Sequence, residues 1–125
     1  MDINIDNLET AIQDLKNTLK DGLLSTDIWD RSTGLSLAGH NTQPAAVALF
    51  TELTSTLVSA LSDSGFPGLK RYYFLEMEGD HIVMIIRHGE DLLQGILMNS
   101  QKVNIGLLLA VALPKMLTSV EKSRH

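Results

Sequence analysis

Histidine is the first residue type to test for chemistry, because imidazole serves both as a general base and as a metal ligand. The sequence contains four: His40, His81, His88 and His125. His81 and His88 bracket one predicted strand, so they stand roughly 23 Å apart at about 3.3 Å per residue. They cannot share a metal ion, and their turn positions predict solvated side chains. With no cysteine to supply a thiolate, the sequence predicts no metal site and no cofactor.

Segment 34–39 (GLSLAG) partly matches two catalytic motifs. A nucleophile elbow requires glycine two positions after its serine, whereas Ala38 stands at that distance from Ser36. A phosphate-binding loop requires Lys and then Ser or Thr after its second glycine, and His40 and Asn41 occupy those positions. Both motifs are therefore rejected.

The acidic residues form no evident catalytic pair. Asp27 and Asp30 flank Trp29 at the end of a predicted strand and are interpreted as solvated hairpin residues. Glu76 and Glu78 lie near a turn, where they keep a strand edge polar. No set of residues combines a nucleophile, a base and an oxyanion donor, so the sequence predicts a protein that is not an enzyme.

Composition narrows the class of protein. The chain has 125 residues, 44% of them hydrophobic and 20% charged, which is typical of one globular domain covering 1–125. Its net charge of −5, without a Lys/Arg cluster, predicts no binding to nucleic acid. The acidic first twenty residues do not resemble a signal peptide, and the most apolar stretch, 103–117, is too short to cross a bilayer. We therefore expect a cytoplasmic location without membrane insertion, and a frayed polar tail at 121–125.

Hydrophobic periodicity predicts the order of the elements. A spacing of three and four indicates a helix over 5–19, and alternation indicates a hairpin of two strands over 23–40. A central helix is followed by three strands joined by short turns. The last helix comes next, and Pro114 should kink it or restart it there. The predicted fold is α+β, a five-stranded antiparallel sheet with helices on both faces in the order α-β-β-α-β-β-β-α. The later elements are predicted at 43–63, 70–77, 81–87, 92–98 and 105–120.

The central helix carries two apolar stripes, although a helix that covers one sheet needs only one. The stripe with the larger side chains is assigned to the sheet, and the small, β-branched stripe to a partner, because small side chains permit close helix–helix approach. The first stripe is Ala46, Leu49, Phe50, Leu53, Leu57, Ala60 and Leu61, and the second is Val47, Thr51, Thr54 and Val58.

Element order and several segments resemble the Roadblock family of dynein light-chain-like domains, a branch of the profilin-like folds. The resemblance covers about residues 1–120. It rests on 23–39, a strand, turn and short strand ending in Ala-Gly, on the long helix 43–63, on the hairpins of 70–98, and on Asn104-Ile105-Gly106-Leu107-Leu108 at the start of the last helix. Pro114 and the longer turn at 31–33 depart from the family pattern.

The Roadblock resemblance implies a dimer in which the long helix and the following edge strand pair with their equivalents, giving one sheet through both subunits. It also implies a scaffold or regulator of a small Ras-like GTPase or a motor-like complex. The predicted interface for a homodimer or partner is Val47, Thr51, Thr54, Val58, Arg71, Tyr72, Tyr73 and Phe74.

Two other functions are compatible with the sequence. A ligand-sensing domain of related architecture would hold a pocket between sheet and helix, and a small enzyme could assemble its site from scattered residues.

Overall fold

A single antiparallel sheet organises the chain, seen here in a computed structural model that describes residues 2–125. The spatial order is β2-β1-β5-β4-β3, so β2 and β3 form the two edges. Short turns join β3 to β4 and β4 to β5, and each holds a glycine in the left-handed region, Gly79 at φ 74° and Gly89 at φ 68°. The strands are β1 Leu23–Asp30, β2 Ser36–His40, β3 Tyr72–Met77, β4 His81–His88 and β5 Leu92–Asn99.

Three helical segments cover the sheet. Helix α1 spans Ile5–Leu19 and α2 spans Pro44–Asp63. The last helix, α3, has an α-helical turn at Ile105–Leu107, a π-helical stretch at Leu108–Ala112 and an α-helical part at Leu113–Lys122. The α-helix restarts beside Pro114, one of the two outcomes predicted there, after a π stretch in which the Leu113 amide donates to the Leu108 carbonyl five residues back. Pro114 then falls in the first turn of the final part, where its missing N–H is tolerated.

The sheet separates two hydrophobic cores. Helices α1 and α3 pack on one face, where Ile28, Met84 and Ile96 are fully buried or nearly so. Helix α2 packs on the other, against Trp29 and Ile85. Residues of β4 point into both cores, as the unbroken apolar run of that strand predicts.

His88 lies inside the first core, so the prediction of a solvated side chain is wrong. It is 5% exposed and within 2.8 Å of Gln94 Oε1, to which its Nε2–H donates. The Gln94 amide donates in turn to Thr26 Oγ1, and the Thr26 hydroxyl donates to the Gly95 carbonyl. This chain of donors has one consistent direction, and it requires a hydrogen on Nε2 of His88. Burial lowers the pKa of His88 to about 4, and the Gln94 bond opposes that change.

The C-terminal residues are also ordered, in contrast to the predicted frayed tail. Ser123 is fully buried, and both terminal nitrogens of the Arg124 guanidinium donate to the Asp91 carboxylate at 2.8 Å. Arg124 also donates to the His88 carbonyl. A polar composition favours fraying only when the side chains lack partners, and Arg124 has two.

Helix α2 is long and apolar enough to cross a membrane by length and composition alone, and little of it is buried within the chain. In the fold it lies along the sheet instead. Its large exposed apolar surface forms part of the candidate functional site.

Candidate interaction surface

The inward face of α2 is set by the polar ends of two aromatic side chains. Trp29 is 1% exposed, and its indole N–H donates to Thr51 Oγ1 at 2.8 Å. The Tyr73 hydroxyl lies 2.7 Å from Thr54 Oγ1, and Thr54 is 1% exposed. Buried aromatic side chains with a polar end need such partners. The two threonines therefore turn toward the sheet, with Phe50 buried beside them.

The assignment of the two stripes of α2 is consequently wrong in part, since Phe50 is buried as predicted but other positions are exchanged. Leu49 and Leu53, assigned to the core, are 58% and 36% exposed, while Val47 and Thr54, assigned to a partner, are buried. Side-chain size favoured the leucine stripe for the core, but the hydrogen bonds of Trp29 and Tyr73 are satisfied only by the threonine stripe.

The predicted interface residues fall into three groups. Val47, Thr51, Thr54 and Tyr73 form the contact between α2 and the sheet, and Val58 is half-buried along the same side. Phe74 packs on the opposite core, and Arg71 and Tyr72 are exposed, the latter by 39%. A partner role for these eight residues stays a prediction. The residues that fill the chain's own core are less available to contact a partner.

Strand β3 supplies an open edge. It pairs with β4 from Tyr72 opposite Ile86 to Met77 opposite His81, and its other side forms the border of the sheet. The rings of Tyr72 and Phe74 meet edge to face, with centroids 5.8 Å apart. An unpaired strand edge presents free N–H and C=O groups to any further strand.

Helix α2 and strand β3 together form one continuous surface. Leu49 of α2 and Met77 of β3 line the same cavity, which places Leu49 on the β3 side of the helix. Leu53 lies one turn further along the same face of the helix. We call Leu49, Leu53, Met77 and the outer edge of β3 the α2–β3 surface. The sequence assigned the edge of β3 to an interface, but none of the side chains of Leu49, Leu53 and Met77. The available signal was the excess of apolar residues on the helix, which shows that some are exposed but not which ones.

The acidic residues near Trp29 occupy two different environments. Asp27 is 7% exposed, so it is not the solvated residue predicted. Burial raises the pKa of its carboxyl, and a bond donated by the Ser36 hydroxyl at 2.5 Å opposes this. Asp30 lies at the surface, where bonds from the Ser32 hydroxyl and amide lower the pKa of its carboxyl. The two acids therefore do not act as a pair.

Comparison with solved structures relates this architecture to known proteins. Myxococcus xanthus MglB superimposes with a TM-score of 0.80 at 10% identity, over 94% of this chain and 87% of that one. A structure described as MglB with tetrameric arrangement gives 0.71 at 14% identity, over 94% and 92%. A Roadblock/LC7 domain from Streptomyces avermitilis gives 0.68 at 17% identity, over 91% and 94%. No protein-family model and no curated protein sequence matches the chain.

These likenesses establish the fold. The predicted five-stranded antiparallel sheet with helices on both faces, of Roadblock/profilin-like type, is confirmed.

Proposed function

We propose that this protein is a non-catalytic, dimeric interaction module that regulates or scaffolds a small Ras-like GTPase. The observation that carries the proposal is the α2–β3 surface, in which exposed leucines lie beside an unpaired strand edge. The GTPase partner comes from the Roadblock resemblance and is consistent with the MglB-like fold.

Self-association would use both parts of this surface. Two antiparallel β3 strands would complete each other's hydrogen bonds and extend the sheet across both subunits. A two-fold axis at that point would bring the two α2 helices side by side, so that Leu49 and Leu53 of each copy become buried. Burial of such side chains contributes roughly 1.5–3 kcal/mol each when complete. One of the MglB structures is described as tetrameric, which supports oligomer formation by this fold.

The titratable groups support a non-catalytic role. His88 is enclosed and hydrogen-bonded to Gln94, and Asp27 holds Ser36. These groups contribute to the packing between elements, and neither pair is joined by a third group in a catalytic arrangement.

A pair of double variants tests the interface. Leu49→Glu with Leu53→Glu would place four carboxylates at a two-fold contact, where unpaired buried charge is strongly unfavourable. We expect a monomer with the circular dichroism spectrum of the wild type. The matched control is Ser55→Glu with Ser59→Glu, two exposed positions about a third of a turn around α2 from the leucines, which should leave the dimer intact. A dimer that persists in the leucine variant would place the interface elsewhere.

The partner is tested separately. Purified Ras-like GTPases from the same organism would be loaded with GDP or a GTP analogue, and their binding and GTP hydrolysis measured with and without this protein. We expect one of them to bind in a nucleotide-dependent way and to lose that binding with the Leu49/Leu53 variant. If the protein forms a dimer but binds none of these GTPases, the self-association would stand and the GTPase role would be refuted.

A further inference from the structure

A cavity opens between the first half of α2 and the sheet, beside Trp29, Val47 and Phe50, which also hold the helix in place. Its volume is about 300 Å³, which lies at the lower end of the range for small-molecule sites. Gly95 supplies part of the floor, and because it has no side chain, the helix and sheet do not close there. The other main lining residues are Ala46, Leu49, Phe50, Val83 and Leu97.

Asp27 gives this apolar cavity one charged group. It lies opposite Gly95 in the β1–β5 ladder and lines the cavity. The Ser36 hydroxyl donates to one carboxylate oxygen, but within residues 2–125 no Lys, Arg or His comes close enough to form an ion pair with it. A buried carboxylate without a cation is unfavourable, and its raised pKa reflects this.

We propose that this cavity binds a small apolar molecule with a protonated amine, whose ammonium group pairs with Asp27 and whose hydrocarbon part fills the space over Gly95. This function is additional to dimer formation, and Leu49 and Met77 belong both to the cavity lining and to the α2–β3 surface. The ammonium supplies the counter-charge that no residue among 2–125 provides to Asp27, and the hydrocarbon part fills the space along Ala46, Phe50 and Leu97. An anion of the same shape would meet the Asp27 carboxylate and be repelled. The net charge of −5 also favours the approach of cations.

Trp29 provides a direct assay, because it is the only tryptophan in the chain and lines the cavity. The probe is 2-phenylethylammonium, and its matched anion is 3-phenylpropionate. We expect a saturable change in Trp29 fluorescence with the amine, and binding weaker by at least about tenfold for the anion. No saturable change with the amine up to about 10 mM would overturn the proposal.

Two variants test the charge of Asp27 and the free space over Gly95 separately. Asp27→Asn should weaken amine binding by about tenfold or more and remove the preference over the anion. Gly95→Val should block both probes, because its added carbon atoms occupy the cavity floor; a Cβ at this position meets its neighbours at 3.5 Å, an ordinary contact. Glu9→Gln, which removes an exposed carboxylate on α1, is the control and should bind like the wild type. Equal amine affinity in all four proteins would refute the assignment.

A measurement on the wild type keeps the proposal testable if a variant does not fold. Amide chemical shifts in a nitrogen-15 spectrum, recorded during titration with the amine, should change most at Asp27, Ala46 and Gly95. Changes confined to residues outside the cavity would contradict the site.

Discussion

Replacing His88 by Gln should remove most of the acid sensitivity of this fold. The imidazole is buried in its neutral form, with a pKa of about 4 in place of the usual 6.5. The unfolded chain therefore binds this proton first as the pH falls. Stability from His88 is fully present above pH 6.5 and is lost as the pH falls from 6.5 toward 4. Gln at this position does not titrate, and its amide can donate to Gln94 as the imidazole does.

The expected size follows from the two pKa values. The separation between 6.5 and about 4 corresponds to roughly 3 kcal/mol of unfolding free energy, since each pH unit corresponds to about 1.4 kcal/mol. Three carboxyls contribute differently. The raised pKa of Asp27 gives the opposite slope above its ordinary 3.8, and the lowered pKa values of Asp30 and Asp91 act below that value. Comparison of the wild type with the variant cancels all three contributions.

Denaturant unfolding at about pH 7 and pH 4.5, at one protein concentration, measures the effect. We expect the wild type to lose roughly 2–3 kcal/mol more than His88→Gln between these conditions. His40→Gln, which removes a half-exposed imidazole, should keep the wild-type pH dependence. Equal losses in the wild type and His88→Gln would refute the buried neutral imidazole.

The other stability predictions follow from the packing of α2 and of the C-terminus. Phe50→Ala should lower the unfolding free energy by about 3–5 kcal/mol in denaturant unfolding. Leu49→Ala, at a position 58% exposed, should lower the unfolding free energy of the monomer by less than about 0.5 kcal/mol. Similar losses of stability in the two variants would mean that the helix has the opposite phase. Thr54→Asp with Val58→Lys should give an unfolded or strongly destabilised chain by circular dichroism, because Thr54 is fully enclosed, and a folded monomer would restore the sequence-based phase. Arg124→Ala should reduce stability by about 1 kcal/mol in denaturant unfolding, and no change would show that the bidentate pair at the C-terminus is energetically neutral.

Backbone-level features of the fold could be predicted from the sequence. The apolar run of β4 indicates a central strand, and it is one, while glycine-containing turns at Gly79 and Gly89 predict the hairpins around it. Both signals are local, because alternation and turn chemistry are properties of neighbouring residues. The element order and the Roadblock-like fold followed from them.

The orientation of α2 could not be predicted in this way. Hydrophobicity indicates that residues are buried somewhere, but Leu49 and Leu53 carry the same signal whether they face the sheet or another molecule. The choice depends on Thr51 and Thr54, whose partners lie 22 and 19 residues away along the chain. The burial of His88 could not be predicted for a similar reason, since its environment is created by Gln94 and by Arg124, which follows the end of α3.

The molar mass of the wild-type protein in solution tests the central claim most directly. Light scattering on a concentration series should give twice the chain mass of 13.7 kDa, with dissociation only on dilution. A mass that stays at 13.7 kDa up to the highest concentration would contradict self-association through the α2–β3 surface.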